Sequence, residues 1–124
     1  MNKKIKIAGA GISGLTAAIN LAKAGYEVEV YDSAKDSGQR FHGDFHVIEN
    51  WSHKQDALDF LKDINIELNF DYQGVDKLSL WAPDECHKDF KLSRPLYYLV
   101  RRVVDSDCLD QNLKKQAIDN GVKI

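Results

Sequence analysis

The chain has 124 residues, of which 44% are hydrophobic and 29% are charged, a composition typical of one soluble globular domain. Its 17 basic and 19 acidic residues give a formal net charge of −2, so no nucleic-acid-binding surface is expected. No apolar run reaches the roughly 18 residues that cross a bilayer, and no apolar signal segment follows the first lysines. These features predict a cytoplasmic protein without a transmembrane segment.

The first part of the chain has the pattern of a β-α-β unit. Residues 4–8 alternate polar and apolar side chains, as a half-buried strand does. A helix is predicted next, because four apolar residues recur at helical spacing: Leu15, Ala18, Leu21 and Ala22. Gly25 lies where a left-handed residue commonly ends a helix, and residues 27–31 resume strand alternation.

A glycine-rich turn, Gly9-Ala10-Gly11-Ile12-Ser13-Gly14, connects the first strand to the helix. In a dinucleotide-binding turn of this spacing, the first glycine permits the tight turn and the second lets a pyrophosphate approach the backbone. The third glycine lets the helix lie close to the sheet, and the helix amino terminus then faces the phosphates. We therefore expect five residues of this turn to bind the cofactor: Gly9, Gly11, Ile12, Ser13 and Gly14.

Asp32 ends the second strand, at the distance from the glycines where an acidic residue binds an adenosine ribose. Its carboxylate would accept hydrogen bonds from the ribose hydroxyls, and its charge would disfavour a 2′-phosphate. The alternative is a glycine-rich turn that binds nothing. The complete set of flanking features favours the binding interpretation.

The segment after Asp32 is less regular. Residues 33–43 are rich in Ser, Asp, Lys and Gly and are predicted to form a loop, and residues 45–48 a short extended piece. Ser52 begins a capping-box pattern, which predicts the start of a helix carrying the apolar residues between 57 and 64.

Residues 66–102 are predicted to be a strand-rich insertion within the domain. Runs at 67–72, 77–81 and 89–92 are separated by turn signals and predict an antiparallel meander, and residues 97–101 form a further strand. Together with the β-α-β unit, this insertion predicts an α/β fold rather than an all-α or all-β one.

A second amphipathic helix is predicted from the apolar spacing of Leu109, Leu113 and Ala117, with Ser106 or Asp107 as its cap. Asn120 and Gly121 end it, and residues 122–124 begin a strand. Because a strand of three residues cannot complete its ladder, we expect residues 1–124 to be a single, partial, amino-terminal dinucleotide-binding domain. An unpaired edge at this strand would favour self-association.

Three segments carry a family resemblance. Residues 9–18 followed by 28–32 resemble the FAD-dependent oxidoreductases of the glutathione-reductase-like superfold. Residues 37–51, with Ser37-Gly38-Gln39-Arg40 at their start, and residues 98–113 are similar to the geranylgeranyl reductase branch, which is related to the aromatic hydroxylases. The resemblance extends only to the amino-terminal part of that family.

The resemblance implies a Rossmann-like FAD/NAD(P)-binding fold with FAD as cofactor, NAD(P)H as a candidate electron donor and a small isoprenoid substrate. It also implies that Arg40 contacts the pyrophosphate and that one of Arg101 and Arg102 faces the flavin; we assign Arg101. Two departures accompany it. Asp32 stands where the family usually has Glu, and the later Gly-Asp flavin motif has no counterpart, so these residues alone are expected to bind FAD weakly or not at all.

Three functions stay open from the sequence: the FAD-binding part of an oxidoreductase similar to geranylgeranyl reductases, an NAD-binding dehydrogenase module, and a non-catalytic fragment that keeps the fold. No nucleophile, acid–base pair or metal-ligand spacing can be assembled, so no catalytic residue and no metal site are predicted. In a flavoprotein this is expected, because the cofactor carries out the redox step.

Overall fold

A computed structural model describes residues 3–124 and shows a mixed α/β architecture, which confirms the predicted fold class. In chain order the elements are β1 Lys4–Ala8, α1 Ile12–Lys23, β2 Glu27–Tyr31, β3 Asp44–Glu49, α2 Ala57–Asp63, β4 Tyr72–Val75, β5 Lys77–Trp81, β6 His87–Lys91, β7 Tyr97–Arg102 and α3 Leu109–Asp119.

The β-α-β unit forms as the sequence predicts. Strands β1 and β2 pair in parallel, with Lys4 opposite Glu27 and Ala8 opposite Tyr31. Helix α1 covers them and buries Leu15, Ala18 and Ile19 completely. The same core includes Leu113 and Ala117 of α3, so α1 and α3 pack against each other and share the core of the parallel strands. Burial of these apolar side chains is the main force that holds the layers together.

The end of the described chain extends the parallel sheet. Lys123 forms a parallel bridge with Glu29: its N–H donates to Val28 O at 3.1 Å, and its carbonyl accepts from Val30 N at 2.7 Å. Residues 122–124 therefore lie beside β2, on the side away from β1, which confirms the predicted strand start.

The strand-rich segment differs from the predicted meander. Strand β7 is the centre of a three-stranded antiparallel sheet, flanked by β3 and β4, whereas β5 and β6 form a separate two-stranded hairpin. Strand β4 thus pairs with β7, which follows it by more than 20 residues, and not with its chain neighbour β5. Local turn signals fixed the β5–β6 hairpin, but the partner of β4 depends on long-range pairing.

The strand predicted at 67–72 is wrong, because the ladder begins only at Tyr72. The backbone of Glu67 is instead bonded to a side chain of α3: its N–H donates to Gln116 Oε1 at 3.0 Å, and its carbonyl accepts from Gln116 Nε2 at 2.7 Å. Ile66 and Phe70 are buried in the main core. One glutamine therefore satisfies the backbone groups that a neighbouring strand would otherwise use.

Both helix caps differ from the prediction. Helix α2 is capped by Asp56, whose side chain accepts from Leu58 N at 2.9 Å, so the capping box at Ser52 is not formed. Helix α3 begins after Cys108 without a side-chain cap, so neither Ser106 nor Asp107 has that role. The residue that caps α2, Asp56, directly precedes the helix, whereas the predicted cap Ser52 lies four residues further back.

Gly14 provides a test of the α1–sheet contact. A Cβ at this residue would lie 1.9 Å from Gly9 O, which is backbone and cannot move away cheaply. We expect Gly14→Ala to lower the free energy of unfolding by about 1–3 kcal/mol or more, measured by urea denaturation. The matched control is Gly11→Ala, because a Cβ there meets no atom within 4 Å; equal losses in the two variants would contradict the packing argument.

Candidate dinucleotide-binding site

A cleft of about 680 Å³ opens where β1 and β2 end. Its floor is the glycine turn and the start of α1, one wall is the loop of residues 32–41, and the far end is formed by Arg102 and Asp110. Ligands of parallel α/β sheets bind at this carboxyl edge of the strands. The cleft contains every predicted cofactor residue except Arg101, namely Gly9, Gly11, Ile12, Ser13, Gly14, Asp32 and Arg40.

The backbone of the glycine turn fits an incoming phosphate. Gly9 has φ of +102°, a conformation that L side chains rarely adopt, and its N–H donates to Tyr31 O at 2.6 Å. Gly11 is the residue that precedes α1 and has open space where a Cβ would be. No side chain caps α1, and its first turn carries no acidic residue. The free N–H groups of that turn and the positive end of the helix dipole thus face the cleft.

Asp32 braces the glycine turn. Its Oδ2 accepts from Ala10 N at 2.6 Å, and its Oδ1 accepts from Ala34 N at 2.7 Å. These backbone hydrogen bonds, from Ala34 first and then Ala10, lower the pKa of the Asp32 carboxyl below its ordinary value. Each carboxylate oxygen has a second lone-pair site, so the exposed Asp32 side chain can hold the turn and still accept from a ribose hydroxyl.

Two arginines meet at Phe41 at the far end of the cleft. The exposed Arg40 lies with its guanidinium carbon 4.7 Å from the Phe41 ring centre, and Arg102 lies 4.1 Å from the same ring. Arg102 is buried and bidentate to Asp110, with Nε–Oδ2 at 2.6 Å and Nη2–Oδ1 at 2.7 Å. Asp110 balances the charge of Arg102 and holds its guanidinium in place, whereas Arg40 is exposed.

Arg101 does not line the cleft that the other predicted cofactor residues line. Its guanidinium pairs with Asp105 at 2.9 Å and with Asp107 at 2.9 Å. Because successive strand residues face opposite ways, Arg102 takes the inward position that Tyr98 and Val100 also occupy. The alternation along residues 97–102 predicts that Arg102 shares the buried face of the strand with Tyr98 and Val100.

Sequence reasoning also missed the contact that holds the loop against β7. Gly38 has φ of +84°, and a Cβ there would lie 2.6 Å from Val103 O and 3.0 Å from Asp110 Cβ. The loop therefore rests directly on the end of β7 and the start of α3. The hydroxyl of the adjacent buried Ser37 has no hydrogen-bond partner within residues 3–124. The one sequence feature that indicated this packing was Gly38, in the segment Ser37-Gly38-Gln39-Arg40.

The residues of the cleft fit the adenosine and pyrophosphate portion of a dinucleotide. The lining of the cleft combines the start of α1 and the glycine turn with the Asp32 carboxylate and the guanidinium groups of Arg40 and Arg102, and it also includes Asp36 and Asp110. The open space above Gly11 is where a bound phosphate would come closest to the backbone.

Comparison with known proteins agrees with this geometry. The profile of the family described as "NAD(P)-binding Rossmann-like domain" matches residues 7–62. Hydroxysqualene dehydroxylase of Rhodopseudomonas palustris is 43% identical over 58 residues, which are 43% of this chain and 14% of that protein. The enzyme of the same name from Sinorhizobium fredii is 50% identical over 40 residues, which are 32% of this chain and 10% of that protein.

Solved structures resemble the whole described fold. A variant of 2-methyl-3-hydroxypyridine-5-carboxylic acid oxygenase superposes with a TM-score of 0.73 and 21% identity, over 100% of this chain and 31% of that one. CtdE in complex with FAD gives a TM-score of 0.55 and 20% identity, over 100% of this chain and 30% of that one. The chain has a Rossmann-like dinucleotide-binding fold, which it shares with these solved structures. It spans about a third of the length of these solved relatives.

No helix within residues 3–124 combines the length and apolar character needed to cross a membrane.

The two backbone contacts of Asp32 predict how stability depends on pH. Because the folded-state pKa is lowered, the ionised carboxylate stabilises the fold above its unfolded pKa of about 3.9, and this contribution is lost as the pH falls through the folded pKa. We expect Asp32→Asn to be less stable than wild type at pH 7, with the difference shrinking as the pH falls below about 4.

Thermal unfolding between neutral and acidic pH measures this difference. The control is Asp44→Asn, which alters an exposed carboxylate at the start of β3. A difference between wild type and Asp32→Asn that stays constant with pH would contradict the bracing role.

Proposed function

We propose that this domain binds the ADP portion of FAD and serves a flavin-dependent oxidoreductase. The observation that carries the proposal is the start of α1, which has no side-chain cap within residues 3–124 and opens into a cleft that Asp32 and Arg40 also line. The fold shared with FAD-dependent oxygenases and the matched family profile support it.

Each part of the cleft has a distinct task in this proposal. The turn from Gly9 to Gly14 and the first amides of α1 would hold the pyrophosphate through backbone N–H groups. Asp32 would accept from the ribose hydroxyls, and Arg40 would balance phosphate charge. Asp110 already balances the charge of Arg102, so Arg102 would contribute through its remaining N–H groups. A bound flavin supplies the redox chemistry, while these residues bind and orient it.

FAD is favoured over NAD as the resident cofactor by the elements that follow Asp32. An NAD-binding dehydrogenase module usually continues with short alternating βα units. Here the chain instead builds the β3-β7-β4 sheet and the β5–β6 hairpin before it returns to the parallel sheet at Lys123. The match to CtdE in complex with FAD extends over 100% of this chain.

The substrate class that we propose is isoprenoid, with reduction of a double bond as in the geranylgeranyl reductases that the sequence resembles. The two curated relatives support the class, since their name places them on hydroxysqualene. In such a reduction, the alkene gains two electrons and two hydrogens through the flavin, and NAD(P)H is the proposed electron donor. No residue of the described chain is assigned to the proton transfer.

Two further expectations from the sequence, self-association and a cytoplasmic location, are part of the same proposal. The strand around Lys123 has one neighbour, β2, within the described residues, and we propose that its other edge can pair with a second copy. A cytoplasmic location is proposed on the composition alone.

Cofactor binding is tested with Gly11→Val. A branched side chain would fill the space that the pyrophosphate needs, so we expect affinity for ADP and for FAD to fall by more than about tenfold, measured by isothermal titration calorimetry. Absence of ADP binding by the wild-type chain would contradict the proposed function, whereas weak or absent FAD binding by these residues alone is expected. Unchanged affinity in the variant would contradict the role of the turn.

Two arginine variants, one inside the cleft and one outside it, provide a matched comparison in the same titration. Arg40→Met removes the adaptable cation at the cleft and is expected to weaken ADP binding by roughly three- to tenfold. Arg101→Met removes an exposed cation that is paired with Asp105 and Asp107 outside the cleft, and it should leave the affinity unchanged.

The substrate class is tested in the complete polypeptide that contains these residues. After FAD loading and anaerobic reduction by NADPH, the reduced flavin should be reoxidised by an isoprenoid alkene such as geranylgeranyl diphosphate, with loss of one double bond detected by mass spectrometry. Reoxidation by molecular oxygen together with hydroxylation of an added aromatic acid, and no reaction with the alkene, would contradict the isoprenoid assignment while leaving FAD binding intact.

A further inference from the structure

The wall of the cleft that carries Arg40 is attached to helix α3 by a small polar cluster. Asp36 Oδ1 accepts from Lys114 Nζ at 2.7 Å and from Gln111 Nε2 at 2.9 Å. Gln111 Nε2 also donates to Ser37 O at 2.7 Å. We call Asp36, Gln111 and Lys114 the Asp36 cluster.

The α3 residues that contact Asp36 and Arg102 lie close together on one face of that helix. Asp110, which holds Arg102, directly precedes Gln111, and Lys114 lies one helical turn after Asp110. One face of a helix thus contacts both the loop that bears Arg40 and the strand end that bears Arg102. Gln111 and Lys114 lie 75 and 78 residues after Asp36 in the chain, so only the tertiary fold brings these side chains together.

The Asp36 cluster also organises the loop internally. The N–H of Ser37 donates to Asp36 Oδ1 at 2.7 Å, and Gln39 folds back so that its Oε1 accepts from Lys35 N at 2.8 Å. Phe41 N donates to Gly38 O at 3.0 Å, which closes the turn before the ring that both arginines contact. The position of Arg40 therefore follows from the position of Asp36.

We propose that Lys114 and Gln111 are positioning residues for the nucleotide cleft, which fix the loop of residues 35–41 through Asp36 so that Arg40 faces the ligand. The proposal rests on the proposed function as a dinucleotide site. Neither Lys114 nor Gln111 lines the cleft, so their effect on a ligand would pass through the loop. Lys114 also lowers the pKa of the Asp36 carboxyl, and Gln111 lowers it further, consistent with a pair that is charged in the folded protein.

An explanation based on charge alone predicts the opposite change in ligand affinity for one variant, Asp36→Asn. Asp36 lines the cleft, so removal of its negative charge would raise the affinity for an anionic ligand if only long-range electrostatics mattered. If instead Asp36 holds the loop in place, its removal lowers that affinity. Lys114→Met lowers the affinity under both explanations, so Asp36→Asn is the deciding variant.

The experiment compares Asp36→Asn, Lys114→Met and Gln111→Met with wild type in titrations with ADP. The control is Lys115→Met, which removes the same charge from the next residue of α3, where it pairs with Asp119 at the surface. We expect the three cluster variants to bind ADP roughly three- to tenfold more weakly, and Lys115→Met to bind like wild type. Hydrogen exchange of the Gln39 and Phe41 amides, measured without ligand, should accelerate in the cluster variants alone.

Tighter ADP binding by Asp36→Asn would overturn the proposal, because net charge would then explain the series. Unchanged exchange at Gln39 and Phe41 in all three variants would overturn it as well. If wild type fails to bind ADP, the proposed function fails, yet the exchange measurement in the ligand-free protein still decides whether the Asp36 cluster fixes the loop.

Discussion

The contact between the start of α1 and the glycine turn is the constraint on which the rest of the structure depends. Gly14 lies so close to Gly9 O that a side chain there would meet the carbonyl at 1.9 Å. This approach brings α1 down onto the parallel strands and buries Leu15, Ala18 and Ile19 beneath it. It also directs the unsatisfied amides of the first turn into the cleft, so one packing contact sets both the core and the anion-binding direction.

Helix α3 is the second support of the fold, and it acts through polar as well as apolar contacts. Its buried Leu113 and Ala117 share the core with α1. Its buried Gln116 satisfies both backbone groups of Glu67, and its Asp110 pairs with Arg102. A polar side chain buried in this way is stabilising only because each of its groups finds a partner. The same helix therefore positions the strand-rich segment and one end of the cleft.

The cleft combines side chains of both charges, each held by different contacts. Asp32 accepts two backbone hydrogen bonds, which lower the pKa of its carboxyl. Arg102 is fixed in a buried pair with Asp110, whereas Arg40 is exposed and keeps more conformational freedom.

The sequence by itself determined the β-α-β unit, the glycine turn, the position of Asp32 and the short return strand at residues 122–124. These features depend on local periodicity and on spacing along the chain, and their partners follow within one crossover. The β5–β6 hairpin was predictable for the same reason, since its turn joins neighbouring strands.

Only the tertiary structure decided the pairing of β4 with β7, the loss of the strand at 67–72 and the placement of Arg102, rather than Arg101, in the lining of the cleft. Each of these depends on groups far apart in sequence: β4 needs β7, Glu67 needs Gln116, and Arg102 needs Asp110. Local patterns carry no information about which distant side chain will satisfy a backbone amide or a buried charge. The desolvation cost of leaving such groups unpaired, which arises only when the chain is compact, selects these partners.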